Sequence, residues 1–137
     1  MNQEQSAKVV GLDLPISTKH SIVLCDFIRH KSLEQAKNDL SLVLIKKKAV
    51  QLTRFNDKRG HRKGKIGPGF FPENATQEIL KLLISLEANI RYKGLNYDKT
   101  YLKKVVANKA SRPIRHGRYG GRVMKRTHIE IVGYEKK

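Results

Sequence analysis

The chain has 137 residues, enough to bury one core and too few for a second. It carries 29 Lys and Arg against 12 Asp and Glu, and this formal charge of +17 exceeds what solubility asks for and calls for a polyanionic partner. Nucleic acid is favoured because neutralising its phosphates releases condensed counterions, whereas a membrane is disfavoured because the longest apolar runs, around Ile22 to Cys25 and Leu82 to Ile84, fall far short of a bilayer span.

Met1 to Ser6 shows no basic segment followed by an apolar stretch, so no secretory signal is expected and the protein should stay in the cytoplasm where it is made. Val9 to Leu14, with turn-prone Gly11 and Pro15, predicts a short strand. Ser17 offers an N-cap to a helix over 18–29, in which Val23, Leu24, Phe27 and Ile28 share one face. The single cysteine, Cys25, cannot form an internal disulfide and reads as an inert core thiol. Ser32 begins a Ser-Leu-Glu-Gln capping box, and Leu33, Ala36, Leu40, Val43 and Leu44 carry a second helix to about Lys47.

From Lys46 to Gly69 the chain turns basic and glycine-rich, which predicts an extended loop. A third helix then starts near Asn74 or Thr76 and runs to about Lys93, burying Ile79, Leu82, Leu83, Leu86 and Ile90, with Gly94 at the left-handed position that ends it. Tyr101 to Ala107 and Thr127 to Tyr134 read as strands, the second with Ile129 and Ile131 on one side and His128 and Glu130 on the other. Between them, residues 108–126 suggest two antiparallel arms joined at a tip bearing Gly117, Gly120 and Gly121, with too few large apolar residues for a core of its own. The expected fold class is α+β: three helices packed on a small antiparallel sheet, one domain over 1–137, with an extended basic β-hairpin at 99–134 projecting from it.

The distribution of acids says more than the net charge. Between Asp98 and Glu130 there is no Asp or Glu, while Lys99, Lys103, Lys104, Lys109, Arg112, Arg115, Arg118, Arg122, Lys125 and Arg126 all fall in that stretch. A second run, Arg54, Lys58, Arg59, Arg62, Lys63 and Lys65, is opposed only by Asp57 and follows Lys46, Lys47 and Lys48. Two separate basic surfaces imply a partner that is folded or wraps around the protein. The helix lysines Lys37 and Lys81 read as ordinary solvated charges. Arginine suits bidentate phosphate contact and stacking on bases. His61 and His116 join the RNA-contacting set, and Tyr119, Phe55, Phe70 and Phe71 are candidates to stack on unpaired bases. For Phe70 and Phe71, packing beneath the loop is the preferred reading.

Catalysis finds little support. His20, His30, His61, His116 and His128 show no metal-type spacing with cysteine, and Gly117 to Gly121 lacks a phosphate-loop Lys-Ser/Thr pair. No catalytic residue, metal or cofactor is therefore expected. The competing functions are a small RNA-modifying enzyme, which should display a cofactor or acid/base constellation, and an architectural DNA-binding protein, for which a basic hairpin would suit.

Several stretches together resemble a known family. Leu14-Pro15-Ile16-Ser17 with Lys19-His20, Lys31 to Lys37 followed by Ala49-Val50, and Arg54-Phe55-Asn56 with Gly60-His61-Arg62 come first. Glu87-Ala88-Asn89 with Lys93-Gly94-Leu95, then Asn108, Arg115-His116-Gly117-Arg118 and Lys125-Arg126-Thr127-His128-Ile129 complete the series. Their order and spacing resemble the universal large-subunit ribosomal proteins numbered twenty-two in bacteria and seventeen in eukaryotes, in their archaeal form, over nearly the whole chain. The resemblance implies a structural constituent of the large ribosomal subunit, whose partners are large-subunit ribosomal RNA, neighbouring ribosomal proteins and the nascent peptide, with a β-hairpin lining the exit tunnel. One departure stands out: the stretch from Asn108 to Arg118 is several residues shorter than the family's usual ascending arm.

Overall fold

The computed structural model describes residues 6–118 and 120–135, so the absence of an export signal read from Met1 to Ser6 falls largely outside the described residues, and the stacking role of Tyr119 lies outside them. Three strands form an antiparallel sheet in the order β1 (Ser6–Leu14), β5 (Thr127–Glu135), β4 (Thr100–Lys109). The alternation read from the sequence of β5 holds: Ile129 and Ile131 are fully buried, while Glu130 lies on the open face between Lys8 and Lys104.

The helices cover the other face. α1 (Thr18–Ile28) packs across β4, α3 (Glu73–Tyr92) across β1, and α2 (Leu33–Leu44) against α3, completing an α+β fold of three helices on a small antiparallel sheet. Ile79, Leu83, Leu86 and Ile90 recur along α3 at the spacing of one helical face and are all fully buried, each contributing about 1.5–3 kcal/mol relative to exposure. Leu82 and Leu44, expected inside, are only half-buried at the flanks of that face. Gly133 lets α3 lie close to the central strand: a methyl there would stand 3.1 Å from Thr100 Cγ2 and 3.5 Å from Leu86 Cδ2.

Both open sheet edges are blocked. Asn89 Nδ2 and Lys93 Nζ donate to the Lys8 and Ser6 carbonyls on β1, while His30 N donates to Leu102 O and Leu102 N to Lys31 O on β4. Buried polar side chains are satisfied in the same economical way: Thr76 Oγ1 donates to Pro72 O and Ser21 Oγ to Ser17 O, each at 2.9 Å.

Helix ends show where the pattern was hidden. α3 closes as expected, with Gly94 at φ +67 and the bonds Gly94 N to Arg91 O and Leu95 N to Ile90 O. α2 ends in the same motif, Lys46 N to Val43 O and Lys47 N to Leu42 O, but three residues earlier than expected, because Lys46 rather than a glycine takes the left-handed position at φ +60. The Ser32 cap forms, its Oγ accepting from Gln35 N at 3.3 Å.

The expectation of an extended loop over 46–69 is corrected. β2 (Val50–Gln51) pairs with β3 (Gly69–Phe70), His61 bridges Pro68, and Arg62 N donates to Gly67 O at 2.9 Å, so the segment folds back on itself. Buried Val50, Leu52 and Phe70 supply the apolar anchor that closes it. Lys37 is not a solvated charge either; it is largely buried and donates to Glu87, joining α2 to α3. Lys81 pairs with Glu78 one turn away on the surface.

Candidate nucleic-acid interface

Two anchor points bring the basic segments together. Thr127, buried at the start of β5, donates from Oγ1 to Ile16 O at 3.0 Å and shares a hydrogen bond with Thr18 Oγ1, which pins the root of the segment 110–126 to the entry of α1. Beside it, the His20 ring lies 4.7 Å from Phe70, which anchors the loop 53–68. Lys19 and His20 of α1, Phe55 and Arg59 of the loop, and Lys125 of the arm consequently line one cleft of about 220 Å³ with Ser17 and Leu52. The two basic surfaces expected to be separate are therefore continuous here.

Within the loop, Arg54, Lys58, His61, Lys63 and Lys65 are exposed. Arg59 and Arg62 have a second duty: their guanidinium carbons stand 5.9 Å and 5.3 Å from the ring centroids of Phe70 and Phe71, and Arg62 Nε also donates to Gly69 O. Phe70 is buried and Phe71 half-buried, so these rings support arginines from below rather than facing solvent. Phe55 differs. Its backbone is left-handed at φ +56, a conformation that costs a non-glycine residue about 1 kcal/mol or more, and the residue is 44% exposed with Lys19 Nζ 5.3 Å from the ring centroid.

In the arm, Arg115, His116, Gly117, Arg118 and Arg122 line a second cleft of about 320 Å³. Arg115 N donates to Arg122 O at 2.8 Å and Met124 N to Pro113 O at 3.0 Å around the Ile114 and Val123 bridge. Arg112 and Lys109 are exposed, and Arg126 is half-buried where its carbonyl accepts from Ala110 N.

Other expected contacts are engaged within the protein. Lys46 pairs with Glu73 at 2.9 Å, Lys48 with Asp39 at 2.6 Å, and Lys104 with Glu130 at 2.9 Å, while Lys103 lies over the Tyr134 ring. Lys47 is exposed just past α2. Hydrogen bonds from Lys104 and Lys8 hold the Glu130 carboxyl below its usual range. Asp39 is desolvated, which opposes ionisation, but hydrogen bonds from Lys31 and Lys48 outweigh this and hold it low as well.

By contrast, Lys19, Arg59 and Lys125 have no carboxylate partner among the described residues. Burial first, then Arg59 and Lys125, hold the His20 imidazole below its ordinary value. Lys19 and His20 were absent from the expected contact residues, although both belong to the stretch that carries the family resemblance. Their role shows only when residues far apart in the chain are brought together.

Burial pushes the Cys25 thiol up to about 12, which leaves it inert as a nucleophile. Among the described residues there is no cluster of three or more His, Cys, Asp or Glu able to hold a metal, and no helix long and apolar enough to cross a membrane. Fold and surface together define a class, that of small, strongly basic α+β proteins with cationic segments nearly free of acids. A family model described as ribosomal protein L22p/L17e matches residues 9–133, and the chain belongs to this family, whose members are structural components rather than enzymes. It is 40% identical to the large ribosomal subunit protein uL22 of Nanoarchaeum equitans, over 98% of this chain and 81% of the relative. The proteins of the same name from Methanopyrus kandleri and Methanocaldococcus jannaschii are 38% and 34% identical, over 99% and 96% of this chain and 91% and 89% of theirs.

Proposed function

We propose that the chain is a structural constituent of the large ribosomal subunit that binds large-subunit ribosomal RNA through the loop 53–68 and the arm 110–126. One observation carries the reading: among the described residues, most of the cations without carboxylate partners gather on these two segments and at their meeting point, while Lys46, Lys48 and Lys104 are matched by acids. Phosphate contacts from both segments fix the register of the body on RNA, since such contacts position a protein without reading sequence. Association with neighbouring large-subunit proteins accords with the name carried by the relatives.

The finer part of the proposal concerns the hairpin 99–134. It projects from a single domain over 1–137 and its tip, with Arg112, Arg115, His116, Arg118, Tyr119 and Arg122, lines the path of the nascent peptide. The tunnel role rests on the resemblance set out above, and the exposure of the described tip residues is compatible with it.

Sedimentation tests the subunit assignment. The chain is expected to remain with the large subunit through a high-salt wash and to crosslink to its RNA from residues of the loop and arm; release into the supernatant at modest salt, or crosslinks confined to α2 and α3, would refute it. A photoreactive group at Arg118 is expected to label stalled nascent chains, and its failure to do so would remove the tunnel assignment alone.

A further inference from the structure

The cleft between α1, the loop and the arm is better furnished than general phosphate attraction requires. Its lining contains Lys19, His20, Arg59 and Lys125 and no acid. Burial first, then the nearby Arg59 and Lys125, disfavour the charged form of the partly buried His20 imidazole, so a further cation is unwelcome here and an anion would be favoured. Glu73 of α3 lines an adjoining cleft that shares Ser17, His20 and Lys125 with this one, but its carboxylate is paired with Lys46. The cavity itself therefore keeps its positive charge.

The second feature is Phe55. It lines the cleft from a left-handed backbone and stays substantially exposed, whereas Phe70 is buried and Phe71 half-buried, so its ring is the one accessible to a flat partner. Lys19 Nζ lies 5.3 Å from its centroid, so stacking surface and phosphate-binding charge are one nucleotide's reach apart. The first turn of α1 adds to the field, with no acidic residue and no side-chain cap on its amides.

We propose that this cleft holds a single unpaired RNA nucleotide, its phosphate among Lys19, Arg59 and Lys125 and its base stacked on Phe55. The proposal rests on the RNA-binding reading above and deepens it. A cleft of about 220 Å³ has room for a phosphate and part of its nucleoside but not for a duplex, and a base stacked within a duplex does not present its face to a ring. The site thereby selects a bulged or looped nucleotide and locks the junction of loop and arm onto it.

The test uses the full chain with two probes of equal phosphate count, a short single-stranded pyrimidine RNA and a base-paired RNA. Phe55→Leu is expected to weaken single-strand binding about tenfold while duplex binding stays within about twofold. Arg59→Gln with Lys125→Gln should cost more single-strand affinity than Lys63→Gln with Lys65→Gln, which removes the same charge outside the cleft. Because Arg59 also rests on Phe70, the intact chain supplies an independent readout: saturation with the single strand should raise the His20 imidazole titration, since the bound phosphate offsets Arg59 and Lys125. An unmoved His20 titration, or equal effects of Phe55→Leu on both probes, would overturn the nucleotide site while RNA binding stands. An intact chain that binds neither probe at low salt would overturn both.

Discussion

Helix α3 and the segment 110–126 lie next to one another in the sequence order of the fold, separated only by β4, and they are held by different means. α3 buries Ile79, Leu83, Leu86 and Ile90 completely and is closed by Gly94. In the segment 110–126 the large apolar side chains Ile114, Val123 and Met124 are 61%, 52% and 39% exposed, and among the described residues its cross-arm bonds include Ala110 to Arg126, Arg115 to Arg122 and Met124 to Pro113. The helix is stabilised by what it removes from water; the arm has little to remove. On the RNA-binding reading proposed above, such a segment is expected to gain order from its partner, and its arginines suit an anionic one.

The largest effect that would sharpen this contrast is a truncation in each region. Leu86→Ala is expected to destabilise the body by about 2–5 kcal/mol, through lost burial and the cavity left against β5, while Ile114→Ala should change stability by no more than about 0.5 kcal/mol. Chemical denaturation measures both. Comparable losses at the two positions would mean that the arm belongs to the core.

Next in size is removal of the tip. Deleting residues 112–121 and closing the arms with a short turn should leave the unfolding midpoint nearly where it was, and amide exchange in the free intact chain should show little protection from Arg112 to Arg122 against strong protection along α3. Equal protection in the two regions would break the comparison.

The smallest effect separates paired from unpaired cations. Asp39 is held below its ordinary value of 3.8 by Lys31 and Lys48, so its ionisation stabilises the fold above that pH, and this contribution is lost as pH falls through the lower folded value. Lys48→Gln should cost about 0.5 kcal/mol or less near neutral pH, and the difference from the intact chain should vanish as Asp39 protonates. Denaturation at several pH values reads this directly; a pH-independent difference would assign Lys48 some other structural role.

Much of the body was legible in the sequence because its signals are local. The period of Ile79, Leu83, Leu86 and Ile90 marks α3, and the alternation through Ile129 and Ile131 marks β5 and the side it buries. Gly94 announces a helix end, but Lys46 performs the same turn without a glycine, so α2 looked longer than it is. β2 and β3 are two residues each, too short for any period to show. Charge runs located both basic segments, yet which lysines face acids depends on contacts such as Lys104 with Glu130, and no run of residues encodes them. The cleft around His20 was hidden for the same reason, since Lys19, Arg59 and Lys125 lie in three distant parts of the chain.

Unpaired cations carry the proposed binding, and the salt dependence of affinity for large-subunit ribosomal RNA tests that most directly. With about six phosphates engaged, affinity should fall by about three orders of magnitude between roughly 50 and 200 mM salt. Changing Arg54, Lys58 and Lys63 to Gln should flatten the logarithmic slope by roughly 0.7–0.9 for each residue, whereas changing Lys46, Lys48 and Lys104 to Gln should leave it nearly unchanged. Equal flattening by the two sets, or a nearly flat response from the intact chain, would contradict the account.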